Sequence, residues 1–79
     1  MTKEELIAKI NASLAEEFEV EESVLTPDAP IKETLELDSL SFVDLIALIE
    51  GVSGVKVVGT DVAKIPTFGA LYDFVYERM

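Results

Sequence analysis

The stretch Leu37-Asp38-Ser39-Leu40-Ser41-Phe42-Val43-Asp44-Leu45 holds the chain's most suggestive chemistry. It places a hydroxyl directly after an acid and directly before an apolar helical pattern. Asp and Ser are strong helix N-caps, because their side-chain oxygens accept bonds from the free amides of the first turn. A helix start also carries partial positive charge and unpaired N–H groups, so a phosphate ester on Ser39 would sit favourably there. A tether attached at that point would be exposed and free to swing. Taken alone, an Asp-Ser pair before a helix is an ordinary cap.

The rest of the inventory argues against catalysis. The chain has no histidine and no cysteine. A serine nucleophile ordinarily needs an adjacent base, and none of Lys32, Lys56 and Lys64 stands at a catalytic spacing from a serine. Asp38, Asp44 and Glu50 do not form a calcium-loop pattern, and the glycines at 51, 54 and 59 match neither dinucleotide nor phosphate-loop spacing. We therefore expect no catalytic residue and no metal site. Without cysteine there is no disulfide framework and no zinc-thiolate site.

The elements that must position Ser39 are legible in outline. Seventy-nine residues, 49% of them hydrophobic, suffice for one unit spanning residues 1–79 with a modest core. Thr2 and Glu5 have capping-box spacing, and Leu6, Ile7, Ile10 and Leu14 follow at helical spacing, so a first helix runs to about Glu16–Phe18. Residues 19–37 form a long connection broken by Pro27 and Pro30, with Val24, Leu25, Ile31, Leu35 and Leu37 as its pins and a helical turn near Ser23–Thr26. A second helix starts at Asp38-Ser39. Leu40, Val43, Ile46, Ala47 and Ile49 give its periodicity, and Gly51 and Gly54 are its terminators. Phe42, Leu45 and Leu48 make it apolar over most of its circumference, which implies burial on more than one side or an apolar docking surface.

Val55-Lys56-Val57-Val58 reads as an extended loop with inward valines, since no second strand exists to pair with it. Thr60 or Asp61 then caps a short helix reaching Ile65. Pro66-Thr67 opens a last helix with Phe68, Leu71, Tyr72 and Val75 on its buried face and Arg78 at its C-terminal end. The expected fold is all-α: a small antiparallel four-helix bundle of three main helices plus a short third helix, with a long loop between helices one and two.

Charge bears on partners. Sixteen Asp and Glu against six Lys and Arg leave a net charge of −10. That field repels nucleic acid and anionic membrane surfaces and steers partners that present Lys and Arg. The longest apolar run, Leu45 to Ile49, is too short to span a bilayer, and the N-terminus lacks a signal-peptide core. We expect no membrane insertion and a cytoplasmic setting.

With Asp38-Ser39-Leu40 followed by Val43-Asp44-Leu45-Ile46 and Leu48-Ile49-Glu50, the chain resembles the acyl carrier proteins at their modification motif. The resemblance extends over nearly the whole chain: a first helix at 2–18, a two-proline loop, a short third helix at Asp61-Val62-Ala63-Lys64-Ile65, and a fourth helix at 67–75. It implies that Ser39 receives 4′-phosphopantetheine from coenzyme A through a separate phosphopantetheinyl transferase that uses magnesium. Acyl groups are then held as thioesters on the arm. It implies that Asp38, Asp44 and Glu50, with Leu40 and Ala47 beside them, meet basic docking patches on acyl transferases, ketosynthases and other synthase enzymes. It implies that Ile46, Ile49, Val57, Ile65, Phe68 and Leu71 can line a space for an acyl chain, and that the carrier, not itself an enzyme, works as a monomer. Leu37, Ser41, Gly51 and Ser53 depart from the common pattern, so a specialised polyketide-like or aryl polyene pathway stands beside fatty acid biosynthesis. Two alternatives remain at this point: a peptidyl or aminoacyl carrier, and an acidic helical adaptor that binds a basic partner and carries no arm.

Overall fold

The computed structural model describes all of residues 1–79. It contains three longer helices, α1 (Lys3–Phe18), α3 (Ser39–Ser53) and α5 (Phe68–Glu77), and two of five residues each, α2 (Ile31–Leu35) and α4 (Gly59–Ala63). A 3₁₀ turn at Glu22–Val24 lies between α1 and α2. The expected second, third and fourth helices are thus α3, α4 and α5, and α2 is an additional short helix inside the long connection.

α1 forms because apolar residues recur on one face behind a good cap. The Thr2 hydroxyl accepts from the Glu5 amide (3.1 Å) and the Glu5 carboxylate accepts from the Thr2 amide (3.2 Å). That second bond holds the Glu5 carboxyl below its ordinary range. Leu6, Ile10 and Leu14 are buried. The helix stops where Glu19 turns left-handed (φ 53°), its amide returning to the Ala15 carbonyl.

α5 follows the same logic. The Thr67 hydroxyl accepts from the Ala70 amide (3.3 Å), and Phe68, Leu71, Tyr72 and Val75 are all buried. At the far end the Arg78 guanidinium donates to the Phe74 carbonyl (3.0 Å) and lies 3.6 Å from the centre of the Phe74 ring.

The core comprises fifteen apolar residues drawn from every helix, the loops and the turns, with no buried charged side chain. α1 packs against both α3 and α5. The long connection is pinned by Leu25, Ile31 and Leu35, which are buried, and by Leu37, which packs partly buried on the core. Val24, expected as a pin, is instead exposed, because the 3₁₀ turn aims it outward. Backbone bonds add pins that no periodicity announces: Ile31 donates to the Pro66 carbonyl (3.1 Å), Phe68 to Ala29 (3.3 Å) and Gly69 to Pro27 (2.9 Å). At Gly69 a Cβ would stand 3.0 Å from the Pro27 carbonyl oxygen, so glycine permits this close approach.

Two expected boundaries move. Gly51 lies within α3, and Gly54 (φ 74°) ends the helix. α4 begins at Gly59, behind Val58, so neither Thr60 nor Asp61 caps it, and it ends at Ala63. Val55 and Val57 point inward as expected, while Val58 is exposed.

Candidate functional site

Ser39 is the first residue of α3 and is exposed. Asp38 occupies the N-cap. Its carboxylate accepts from the Ser41 amide (2.8 Å), and its carbonyl accepts from the Phe42 amide (2.9 Å). The Ser41 amide, with a lesser contribution from Leu40, holds the Asp38 carboxyl below its ordinary value. Asp38 therefore takes the capping role and remains ionised at neutral pH. That division of labour leaves the neighbouring Ser39 hydroxyl outside every side-chain hydrogen bond in the structure.

Beside that hydroxyl opens a cavity of about 360 Å³ lined by Lys32, Leu37, Asp38, Ser39, Phe42 and Ala63. A reachable, unengaged hydroxyl with free space next to it fits a covalently attached arm. No group of three or more His, Cys, Asp or Glu side chains converges as a metal site would.

The outward face of α3 carries the residues expected to meet partners. Asp38, Asp44 and Ala47 are exposed, and Leu40 is 77% exposed. Val43 joins them at 61% exposure, although its spacing suggested a place in the buried stripe. It lies two residues from buried Leu45, roughly 200° around the helix, and so falls on the opposite side. That angular offset was readable once Leu45 and Ile49 were taken as the inward pair. Glu50 differs from the other acids: it is only partly exposed, and its carboxylate accepts from the Val57 amide (3.5 Å), tying α3 to the following loop.

Of the residues expected around an acyl chain, Ile49, Val57, Phe68 and Leu71 lie in the closed core. Ile46 is partly buried against Gly59, where an added Cβ would stand 3.3 Å from its Cδ1. Ile65 lines a second cavity of about 300 Å³ with Pro30, Lys32, Glu33, Ala63, Lys64 and Pro66. Neither cavity reaches the other five. Lys32 and Ala63, which line both cavities, carried no sequence signal for the site.

A helical scaffold that sets an exposed, unbonded serine at the start of a helix, just behind its capping residue, offers an attachment point for a tether. The chain belongs to the phosphopantetheine-attachment family, whose model, described as "Phosphopantetheine attachment site", matches residues 8–75. It is 38% identical over 78 residues to an acyl carrier protein of Rubrobacter xylanophilus, covering 99% of this chain and 96% of that one. It is 33% identical, with the same coverage, to an acyl carrier protein of Thermotoga maritima. Its structure matches that of the acyl carrier protein from Enterococcus faecalis with a TM-score of 0.82 at 29% identity, over the full length of both chains. These findings set the armless-adaptor alternative aside. No helix is long and apolar enough to cross a membrane.

Proposed function

We propose that the chain carries acyl groups in fatty acid biosynthesis, as thioesters on a 4′-phosphopantetheine arm bonded to the Ser39 hydroxyl. When bound, the arm supplies the thiol that the chain's own residues lack. The protein's part is to present the attachment point. α3 holds Ser39 at the surface, Asp38 satisfies the first-turn amide of Ser41 in its place, and α1, itself packed on α5, holds α3 from behind. The observation that carries this reading is the exposed Ser39 hydroxyl free of internal bonds.

Partners follow from the face around it. A phosphopantetheinyl transferase would load Ser39. Acyl transferases, ketosynthases and other synthase enzymes with basic patches would dock on Asp38, Leu40, Asp44 and Ala47, with Val43 extending the apolar strip. Glu50 adds charge at the margin while bracing the loop. Charge of opposite sign would mainly raise association rates. An acyl chain could shelter where α3 and α4 part, among Ile46, Ile49, Val57, Ile65, Phe68 and Leu71. The unit works as a cytoplasmic monomer spanning residues 1–79.

Incubation with coenzyme A, magnesium and a broad-specificity transferase, followed by intact-mass measurement, tests the reading. We expect a single phosphopantetheine addition that is absent from Ser39→Ala. A folded parent that gains no mass, or a Ser39→Ala protein that gains the same mass, would refute attachment at Ser39.

A further inference from the structure

The cavity beside Ser39 is lined by two charged side chains of opposite sign, Asp38 and Lys32. Asp38 is committed to the Ser41 amide. A phosphodiester on the Ser39 oxygen would place a second anion next to that carboxylate, on a chain already at −10. Such neighbours repel unless a cation stands between or beside them. Lys32 is the sole cation in the lining, and its ammonium is in no ion pair, since the structure's one salt bridge joins Lys3 to Asp73.

The backbone explains how Lys32 comes to be there. α2 ends at Glu36, which is left-handed (φ 50°), and the amides of Glu36 and Leu37 both return to the Lys32 carbonyl. This reversal sets the last turn of α2 beside the start of α3. The second cavity shares Lys32 and Ala63 with the first and extends to Pro30, Glu33, Lys64 and Ile65. The two adjoin at Lys32 and Ala63, between α2 and α4, and the second adds one cation, Lys64, and one acid, Glu33.

We propose that Lys32 is the counter-charge for the arm's phosphodiester, and that the arm leaves Ser39 along these adjoining cavities between α2 and α4. This rests on attachment at Ser39, so each sample is first shown by mass to carry one arm. A parent that takes no arm counts against the attachment itself; loaded samples test the counter-charge.

The test compares thermal unfolding of arm-free and loaded forms of the parent, Lys32→Met, Lys32→Arg and Lys56→Met. Lys56 is exposed and lies outside both cavities. At low ionic strength, the change in Tm on loading should be less favourable in Lys32→Met than in the parent by about 1–5 °C. Lys32→Arg and Lys56→Met should follow the parent. In about 1 M salt, where the Debye length is about 3 Å, the difference should vanish. The same loading shift in parent and Lys32→Met at low salt would overturn the counter-charge, as would an equal effect from Lys56→Met. Backbone amide resonances supply the second readout. Loading should move those of Ala63, Lys64 and Ile65, and changes confined to α3 would overturn this path.

Discussion

The seam between α1 and α5 and the Ser39 end of the molecule are built in opposite ways. At the seam, Leu6, Ile10 and Leu14 are buried in α1 and Phe68, Leu71, Tyr72 and Val75 in α5, and both helices start from hydroxyl caps. Polar groups reinforce the join: the Tyr72 hydroxyl donates to the Asn11 side chain, and Lys3 pairs with Asp73. At the Ser39 end the two short helices, α2 and α4, have no side-chain caps and border the two cavities. Leu40 and Val43 face solvent there. Five-residue helices have little intrinsic stability and depend on tertiary contacts. The difference teaches how a small carrier divides its labour. Rigidity is concentrated behind α3, and the front is left shallow and lightly braced, where local opening costs least.

The largest test of that contrast sets Phe68→Ala against Leu40→Ala. Phe68 is fully buried, so its truncation should cost about 3–5 kcal/mol, a large share of a small domain's stability. Leu40 is mostly in water, and its truncation should change stability by less than about 0.5 kcal/mol while weakening engagement by partner enzymes. Urea unfolding and a docking assay read the two effects. Comparable stability losses at both positions would abolish the contrast.

The same contrast explains what the sequence reveals. α1, α3 and α5 were legible because each carries a stripe of several apolar residues behind a recognisable cap. α2 was not: only Ile31 and Leu35 are buried in it, and it follows Pro30, which offers no capping side chain. The start of α4 was misplaced because Thr60 and Asp61 look like caps, yet Val58 stands at the N-cap without a side-chain bond. At the site, the cap at Asp38 was legible because cap chemistry is local, whereas the reading of Ser39 as an attachment point came from the resemblance at its motif. Lys32 was not, because its proximity to Ser39 depends on the left-handed turn at Glu36, and glutamate gives no hint of positive φ. The structural duty of Glu50 was likewise hidden, since it depends on where the Val57 amide falls.

Within the seam, Tyr72→Phe isolates the polar contribution. Burial pushes the Tyr72 hydroxyl above its ordinary value of 10.0, with the bond to Asn11 opposing. Removing the hydroxyl leaves the partly buried Asn11 oxygen without its donor and should cost about 1 kcal/mol at neutral pH. The raised value also makes a pH prediction. The unfolded chain loses the tyrosine proton first, so the stability tied to the neutral hydroxyl is fully present below pH 10 and is lost as pH rises through the higher folded value. The parent should therefore lose stability above pH 10 more steeply than Tyr72→Phe. Parallel alkaline limbs in chemical unfolding would mean that the seam does not depend on this hydroxyl.

At the Ser39 end the corresponding titration runs in acid and is smaller. The Asp38 carboxyl is held below its ordinary value of 3.8 chiefly by the Ser41 amide, so the unfolded chain takes up this proton first. Its stabilisation is present above the unfolded value and is lost as pH falls from about there through the lower folded value. Stability of the parent should therefore turn down as pH falls through and below the ordinary carboxyl values, 4.5 for Glu5 and 3.8 for Asp38. Asp38→Asn keeps a capping oxygen but has no proton to gain, so it should show a shallower fall. If urea unfolding across this range gives the two proteins the same acid limb, the Asp38–Ser41 bond contributes no pH-dependent bracing. The front of the carrier would then be held even more loosely than its geometry indicates.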